Sequence, residues 1–247
     1  MILIKKSDII IQILDIVEKQ LHNYFNSSVL KIRDGFKYND ENNKLFSILQ
    51  KRIKNCKIIK KNFSFLLKSI GFKTTETYMD LITFRFSPSC GKKSIGILNP
   101  AKAHRDTWAS NILHQINFWF PLHSVESENS IFIIPERFSK AVQNNSDTWS
   151  YEKYKKVKNY PSVPISTKSF LKNEMLTFRL KKGEVICFSG HHLHGSNIGK
   201  KNRMNLETRI ISKKDEINYS VPQNVDTYTK KIKNRWFRNI DTDKYYS

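Results

Sequence analysis

The sequence of 247 residues contains little cysteine, glycine and proline, and this scarcity excludes several classes of protein. Eight glycines and seven prolines exclude collagen-like and low-complexity architectures. The three cysteines, Cys56, Cys90 and Cys187, are widely spaced and form no CxxC pair. A disulfide framework and a zinc knuckle are therefore not expected, and a reducing, cytoplasmic environment is predicted.

Long apolar runs are also missing. No run approaches the roughly 18 apolar residues of a membrane span, so no membrane span is predicted. A secretory signal keeps its apolar core uncharged, whereas the apolar periodicity near the start of this sequence carries Asp15 and Glu18. No secretory signal is expected. Hydrophobic residues nonetheless make up 39% of the chain, which is enough for a substantial core.

Acidic residues are few: 22 Asp and Glu stand against 43 Lys and Arg, for a formal net charge of +21. Such a charge can mark a nucleic-acid binder, because lysines neutralise phosphates and release counterions. Here the lysines are scattered through a chain that is also rich in Asn and Ile, a pattern that an AT-rich coding sequence produces as well. Two interpretations stay open, a solvated basic surface and an acidic partner or substrate.

The first seventy residues predict helices. Ser7 or Asp8 is suited to cap a helix, since the apolar residues that follow recur at spacings of three and four. These residues are Ile9, Ile10, Ile13, Leu14, Val17 and Leu21. A second helix is predicted over residues 43–53, and a third runs through Phe63 to Ile70 and stops at Gly71.

From Tyr78 onward the sequence predicts strands, because runs rich in β-branched and aromatic residues alternate with turn residues. The candidates are residues 78–86, 94–98, 112–120, 130–134, 175–180, 184–189 and 208–212. Helices followed by many short strands indicate an α+β fold with an antiparallel barrel or jelly roll as its body. A single domain is predicted, with a helical part (1–75), a jelly-roll core (76–215) containing a lid loop (135–165), and a C-terminal extension (216–247).

One segment carries a possible metal-binding pattern, His104-Arg105-Asp106. On an extended backbone the side chains at positions i and i+2 point to the same side, so His104 and Asp106 are predicted to converge. An imidazole and a carboxylate are two of the three ligands of a 2-His-1-carboxylate triad, which leaves open positions on Fe(II). The pattern is short and occurs by chance in many proteins, so it needs a second element.

The second element follows the strand predicted over residues 184–189, where three histidines lie in one turn: His191, His192 and His194. Any of the three is a possible third ligand. Arg203 comes nine residues after His194 and begins a further predicted strand region. Arginine binds a carboxylate with a two-pronged fork and stays charged when buried, which suits a 2-oxo acid co-substrate.

With these residues the sequence resembles the Fe(II)/2-oxoglutarate-dependent oxygenases, specifically their phytanoyl-CoA dioxygenase-like branch, over roughly residues 85–211. The motifs that carry the resemblance are His104-Arg-Asp106-Thr-Trp108, Gln115-Ile-Asn117-Phe-Trp119-Phe-Pro121-Leu122, Ser130-Ile-Phe-Ile-Ile-Pro135, Gly183-Glu-Val-Ile-Cys-Phe-Ser189 and His192-Leu-His194-Gly-Ser196-Asn197. The resemblance implies a double-stranded β-helix (jelly roll) with N-terminal helices packed on it.

The resemblance also implies roles for single residues. Iron would be held by His104, Asp106 and His194, the last because it lies in the family's His-Gly-Ser context. Arg203 would pair with the distal carboxylate of 2-oxoglutarate. Where relatives often have a serine two residues after that arginine, this chain has Asn205, which can also donate a hydrogen bond. Arg209 lies on the same strand face as Arg203, and either it takes over that role or it binds the substrate.

Three further residues are candidates for the pocket. Gln115 and Asn117 share strand parity, and an amide on the inner face of a barrel needs a partner, so both are predicted to face the co-substrate or the substrate. Trp108 either packs in the core or contributes to substrate binding. We assign Gln115 and Asn205 with Arg203 to the co-substrate. The substrate is assigned to Trp108, Asn117 and Arg209.

Residues 135–164 predict a mobile lid over the site, because the stretch is long and polar with aromatics interleaved. Trp149, Tyr151 and Tyr154 are its candidates for reaching the pocket, with surface packing as the alternative.

The predicted function is an Fe(II)- and 2-oxoglutarate-dependent dioxygenase that uses O2 to hydroxylate a small polar or anionic metabolite, such as an amino acid, a glycan precursor or a biosynthetic intermediate. Because Asp106 is intact, oxidation without halogen is predicted. Two alternatives stay open, an AlkB-type nucleic-acid demethylase and a non-catalytic jelly-roll binding protein. The oligomeric state is not predicted.

Overall fold

The computed structural model of the protein describes residues 2–36, 39–89, 101–157, 160–220, 222–223, 225–229 and 236–246. The helices in these residues are α1 (Asp8–Phe25), α2 (Val29–Gly35), α3 (Asp40–Lys54), α4 (Lys57–Ser69), α5 (Thr107–Ser110), α6 (Tyr151–Lys156) and α7 (Lys213–Asn218). The strands are β1 (Ile2–Lys6), β2 (Thr77–Met79), β3 (Thr83–Ser87), β4 (Ile116–Pro121), β5 (Ile131–Ile133), β6 (Leu176–Thr177), β7 (Glu184–Ser189), β8 (His194–Ser196), β9 (Arg203–Ser212) and β10 (Arg238–Asn239). No helix of this described part is long and apolar enough to cross a membrane.

The N-terminal helices form a layer on one face of the larger sheet. Ser7 caps α1 by accepting a hydrogen bond from the Ile9 N–H at 3.2 Å, as predicted. The apolar stripe of α1 is buried together with Phe46 of α3 and Phe63 of α4, and Phe63 meets Phe118 of β4 edge to face at 5.3 Å. These helices therefore bury their apolar faces on the sheet rather than on each other alone.

Two antiparallel sheets make up the body. The larger has the order β1-β7-β4-β9-β2-β10, and β3 also pairs with β9 beside β2. The smaller has the order β6-β5-β8. Side chains of β9 reach β8, because the Arg203 guanidinium donates to the Ser196 hydroxyl at 3.0 Å. Two antiparallel sheets in contact in this way form a jelly-roll-like body, as the sequence predicted.

Alternation along β9 separates its two faces. Met204, Leu206 and Ile210 belong to the apolar cluster under the helices. The residues between them point the opposite way, into the space between the two sheets, since side chains alternate along a strand. They are Arg203, Asn205, Glu207 and Arg209. The interior face of this central strand is thus charged and polar. A core that served only to stabilise the fold would be apolar here, because burying polar groups is costly.

Several predicted boundaries are corrected by the structure. Residues 78–86 form two strands rather than one, and β4 begins at Ile116 rather than at residue 112, because α5 and a left-handed residue, Asn111 with φ of 52°, precede it. The strand region predicted to begin at Arg203 and the strand predicted over residues 208–212 are one continuous strand, β9. Of the predicted strand 175–180, residues 176–177 form β6 and Leu180 forms an isolated bridge with Val125. The predicted strand 94–98 lies outside the described residues.

Seven of the helices and strands in the described residues were not predicted: α2, α5, α6, α7, β1, β8 and β10. The strand β1 pairs with β7 over five residues, and β10 pairs with β2. The larger sheet therefore draws strands from outside residues 76–215. The segment predicted as a lid contains α6, which Ser150 caps by accepting from the Lys153 N–H.

Candidate metal centre

His104, Asp106 and His194 come together between the two sheets. His104 and His194 form an antiparallel bridge in which each backbone N–H donates to the other's carbonyl, at 2.8 and 2.9 Å. One nitrogen or oxygen atom from each of the three side chains lies within 4.8 Å of the others. The three residues are 6–8% exposed. Residues separated by up to 90 positions thus offer three donor atoms to one buried point.

The two ligand candidates at positions 104 and 106 converge for a reason other than the predicted one. His104 is in an extended bridge, but Asp106 has helical backbone angles, φ of −64° and ψ of −28°, and directly precedes α5. Its N–H donates to the Gly190 carbonyl at 3.0 Å. A strand-to-helix turn, fixed by this hydrogen bond to Gly190, therefore sets the direction of the carboxylate. The alternation of side chains along an extended strand does not account for it.

Backbone carbonyls hold both imidazoles in one orientation. The His104 Nδ1 pairs with the Lys102 carbonyl at 2.8 Å, and the His194 Nδ1 pairs with the His192 carbonyl at 2.8 Å. With the proton on Nδ1, each Nε2 presents a lone pair, as a metal-binding histidine requires. Each Nε2 lies 3.7 Å from an oxygen of Asp106. The Phe188 ring packs against His194 at 4.9 Å and supports its orientation.

Burial keeps the two histidines neutral. It lowers the pKa of His104, and it lowers the pKa of His194 to about 4 with a further contribution from the neighbouring His104. At neutral pH both rings are therefore uncharged, the form in which imidazole binds metal ions.

Asp106 is held as a carboxylate by its surroundings. Burial alone would raise its pKa, but Arg209, the two histidines and a hydrogen bond from the Asn117 amide together lower the pKa to about 2. The Arg209 Nη1 lies 3.6 Å from Oδ1, and the Asn117 Nδ2 donates to Oδ2. Both residues were predicted to bind substrate. In the structure they contact the candidate metal ligand.

The donor set fits a divalent first-row metal ion. Two neutral imidazoles and one carboxylate on one side of a buried space form the facial arrangement typical of non-haem Fe(II), and they leave coordination positions for other molecules. Of the three clustered histidines only His194 joins this group among the described residues. His191 is fully buried, and His192 packs against the Phe138 ring at 4.5 Å.

Arg203 is a buried cation with no carboxylate within ion-pair distance among the described residues, and Glu207 acts on it only from farther away. It is 1% exposed and stacks over Trp119 at 5.5 Å. Its Nη atoms donate only to neutral oxygens, and its Nε has no hydrogen-bond partner in the described part of the chain. The acceptors are the Asn129 and Ser130 carbonyls at 3.3 and 3.2 Å and the Ser87 and Ser196 hydroxyls at 3.1 and 3.0 Å. Burial lowers the pKa of Arg203 to about 10, so it is still charged at neutral pH.

Arg209 contrasts with Arg203, although the two share one strand face. Arg209 pairs with Asp80 through both Nε, at 3.2 Å, and Nη2, and it also faces Asp106. Its charge is therefore balanced by two carboxylates, whereas that of Arg203 is not. A buried charge without a counterion is costly, so the geometry favours Arg203 over Arg209 as the place where an anion binds.

The predicted amides are buried and partly unpaired. Asn205 is fully buried on the interior face, and within the described residues neither of its amide atoms has a hydrogen-bond partner. The same holds for Gln115, whose side chain lies directly against Gly190. Buried polar atoms rarely stay unpaired, so Asn205, which follows Arg203 by two residues, is placed to meet a polar ligand.

Trp108 lies in the core. It is fully buried among Phe132, Ile134 and Leu193, and its indole N–H donates to Asp226 at 2.7 Å. Its partners in the structure are thus apolar side chains and a buried carboxylate.

One chain of aromatic contacts connects the segment predicted as a lid to Arg209. Tyr151 of α6 meets Trp236 edge to face at 5.4 Å, and Trp236 covers the Arg209 guanidinium at 5.3 Å. Trp149 instead packs within its own loop and donates to the Pro161 carbonyl at 2.9 Å. One aromatic of the segment therefore connects it to Arg209 and hence to Asp106.

Sequence reasoning missed the acidic partners of the site, Asp80 and Asp226, and the ion pair between Arg85 and Glu207. Strand parity with Arg203 and Arg209 was a signal for Glu207. Asp80 and Asp226 pair with residues more than 100 positions away, and no local pattern marks them.

No protein-family model matches the chain, and no curated protein matches it significantly in sequence. Solved structures do match. The crystal structure of EvdO2 from Micromonospora carbonacea var. aurantiaca, complexed with 2-oxoglutarate, aligns with a TM-score of 0.50 at 8% identity, covering 85% of this chain and 86% of that one. EctD from S. alaskensis with bound Fe aligns at 0.46 with 12% identity, covering 96% of this chain and 78% of that one.

The epimerase SnoN, in complex with Fe3+, alpha ketoglutarate and nogalamycin RO, aligns at 0.45 with 13% identity and covers 85% of this chain and 78% of that one. At such low identities a likeness speaks to the fold. The EvdO2 alignment shows that this chain shares the fold of a protein crystallised with 2-oxoglutarate. The buried His-Asp-His group is found in the chain itself.

Proposed function

We propose that the protein is an Fe(II)- and 2-oxoglutarate-dependent oxygenase. The observation that carries the proposal is a buried His-Asp-His group on the same side of the larger sheet as a buried arginine that lacks a counterion. Neither feature is expected of a purely structural core, because unpaired buried charge destabilises a fold. A metal ion and an anionic co-substrate together account for both.

His104, Asp106 and His194 would hold the iron. Their protonation states suit this role at neutral pH, so binding requires no large proton release from the site. Asn117 and Arg209 orient the carboxylate from the sheet side, and the Lys102 and His192 carbonyls orient the imidazoles. Partners of this kind fix the ligands and tune their affinity for the metal.

Arg203 would bind the distal carboxylate of 2-oxoglutarate. The Ser87 and Ser196 hydroxyls that it contacts, and the unpaired amide of Asn205 beside it, supply further polar contacts to the same anion. Arg209 keeps the different task of holding Asp106. Bound iron and 2-oxoglutarate supply, with O2, the oxidation of a substrate C–H bond coupled to conversion of 2-oxoglutarate into succinate and CO2.

The substrate would be a small polar or anionic metabolite that is hydroxylated, and the enzyme would belong to the phytanoyl-CoA dioxygenase-like branch. The polar interior face of β9 supports this class, as does the partly buried ion pair of Arg85 and Glu207 on that face. Residues 135–165 would act as the lid of a single oxygenase domain built on a double-stranded β-helix, since excluding water protects oxidative chemistry. A cytoplasmic location stays a prediction from the cysteine content.

The test is turnover of 2-oxoglutarate with Fe(II) and O2, measured as succinate formed. His104→Ala, Asp106→Ala and His194→Ala are each expected to abolish both turnover and stoichiometric Fe(II) binding. His22→Ala, on the exposed side of α1, is the matched control and is expected to behave as wild type. Full activity in the three site variants would overturn the proposal. Turnover only with methylated single-stranded nucleic acid would support the demethylase alternative.

A further inference from the structure

A short C-terminal segment, residues 225–229, ties the candidate metal centre to the base of the lid segment. We call it the C-terminal strap. The Thr229 hydroxyl contacts the Trp108 carbonyl and the Ser146 carbonyl, the latter at 2.9 Å. The Asn144 amide donates to the Asp226 carbonyl at 2.9 Å. The strap therefore packs between Trp108, which follows His104 and Asp106 in the chain, and residues 144–146 of the segment predicted as a lid.

The strap places one carboxylate in the protein interior. Asp226 is fully buried and accepts three hydrogen bonds: from the Arg105 Nε at 3.3 Å, the Trp108 Nε1 at 2.7 Å and the Val142 N–H at 2.7 Å. Two of these donors belong to the motif that begins at His104, about 120 positions earlier in the chain. Charged hydrogen bonds of this kind are among the strongest in proteins, and burial strengthens them further.

Arg105 carries the connection onward to both halves of the metal centre. It lies between the ligand candidates His104 and Asp106 and is itself fully buried. Its Nη1 donates to the carbonyl of His191, in the turn that leads to His194. Its Nη2 donates to the carbonyls of Arg137 and Lys140 in the lid segment, at 2.7 and 2.9 Å.

One guanidinium thus holds three chain segments together, and its charge is balanced by Asp226. Removing that carboxylate would leave a buried cation whose remaining partners in the described residues are mainly backbone carbonyls. Such a cation shifts or admits water. Because Arg105 is covalently flanked by two ligands, its displacement moves the His104 and Asp106 side chains relative to His194.

We propose that Asp226 is a positioning residue of the metal centre, acting through Arg105 and Trp108. The inference rests on the proposed metal-binding function. It assigns a role to a residue that touches neither metal nor substrate and that no local sequence pattern marks.

The experiment is Co(II) binding to the metal-free full-length protein, followed by titration calorimetry and by the visible absorption of the bound ion, which reports ligand geometry. Asp226→Asn keeps the shape and removes the charge. It is expected to weaken Co(II) binding about tenfold, the range seen when outer partners of metal ligands are lost, and to change the absorption spectrum.

Thr229→Val is the matched control. It removes the two hydrogen bonds that the Thr229 hydroxyl donates but leaves Asp226 and Arg105 in place, so it should lower the unfolding temperature while Co(II) affinity and spectrum stay close to wild type. If Asp226→Asn does not fold, Asp226→Glu replaces it. The longer carboxylate keeps the charge but displaces Arg105, and it is expected to weaken Co(II) binding by several-fold.

The outcomes separate the two levels of the argument. Wild-type affinity and spectrum in the folded Asp226 variant would overturn the positioning role and leave the proposed function standing. An equal loss of affinity in Thr229→Val would also overturn it, because strap stability rather than the carboxylate would then be responsible. Absence of Co(II) and Fe(II) binding in the wild type would overturn both this inference and the proposed function.

Discussion

Replacing Arg203 with lysine tests how the protein binds its co-substrate. The substitution keeps the positive charge in a position that is 1% exposed, but it removes the planar fork. The wild-type guanidinium has an unpaired Nε and two Nη atoms that now contact neutral oxygens only. A carboxylate that arrives there gains charge-assisted hydrogen bonds from more than one nitrogen, and a lysine ammonium cannot reproduce that geometry.

The structure sets the size of the effect. A hydrogen bond to a charged group contributes about 1.5–3 kcal/mol, and loss of one such bond from a two-pronged contact removes about that amount. At about 1.4 kcal/mol per factor of ten, the apparent KM for 2-oxoglutarate should rise roughly 10- to 150-fold. Co(II) or Fe(II) binding should change little, because Arg203 contacts none of the three metal-ligand candidates.

The assay is succinate formation at varied 2-oxoglutarate, together with anaerobic titration of 2-oxoglutarate into the Fe(II)-loaded protein, which measures binding without turnover. Arg209→Lys is the comparison variant. Because Arg209 pairs with Asp80 and faces Asp106, its loss should weaken metal binding instead. An unchanged KM in Arg203→Lys, combined with a raised KM in Arg209→Lys, would refute the assignment and make Arg209 the anchor.

Two further predictions follow from the same geometry. His191→Ala should retain Fe(II) binding and measurable turnover, whereas His194→Ala should lose both, because of these two histidines His194 is the one whose Nε2 faces Asp106. The reverse result in parallel titrations would show that the third ligand is misassigned. Limited proteolysis of the metal-free protein should cut first within residues 135–164. Iron, 2-oxoglutarate and substrate together should slow that cleavage, and equal rates with and without them would mean that the segment is a surface loop rather than a lid.

Some elements of this protein could be predicted from its sequence because they depend on neighbouring residues only. The helix α1 was predictable because its apolar spacing and its serine cap are properties of neighbouring residues. The strand β7 was predicted with the bounds Glu184–Ser189 that the structure has, since a compact β-rich run ends there at glycine. The histidine and aspartate candidates were also found, because each short motif carries its own ligand types.

Other features depend on pairings between distant parts of the chain. The strands β1 and β10 pair with β7 and β2, and these pairings place them in the larger sheet. Strand β10 is only two residues long and has no strand pattern of its own. Strand β1 begins with the β-prone run Ile2-Leu3-Ile4, but its partner strand lies far away in the chain, so local composition does not show the pairing.

The sequence by itself determined which residues of the site can bind a metal and an anion, since ligand chemistry belongs to the side chain. Only the tertiary structure decided which of them meet. It selected His194 from three histidines, aimed Asp106 by a helical turn, and balanced Arg209 but not Arg203 with carboxylates. It also placed Asp226 beside Arg105, about 120 positions away in the chain. A buried charge needs an opposite charge near it, and the fold determines which residue supplies that charge.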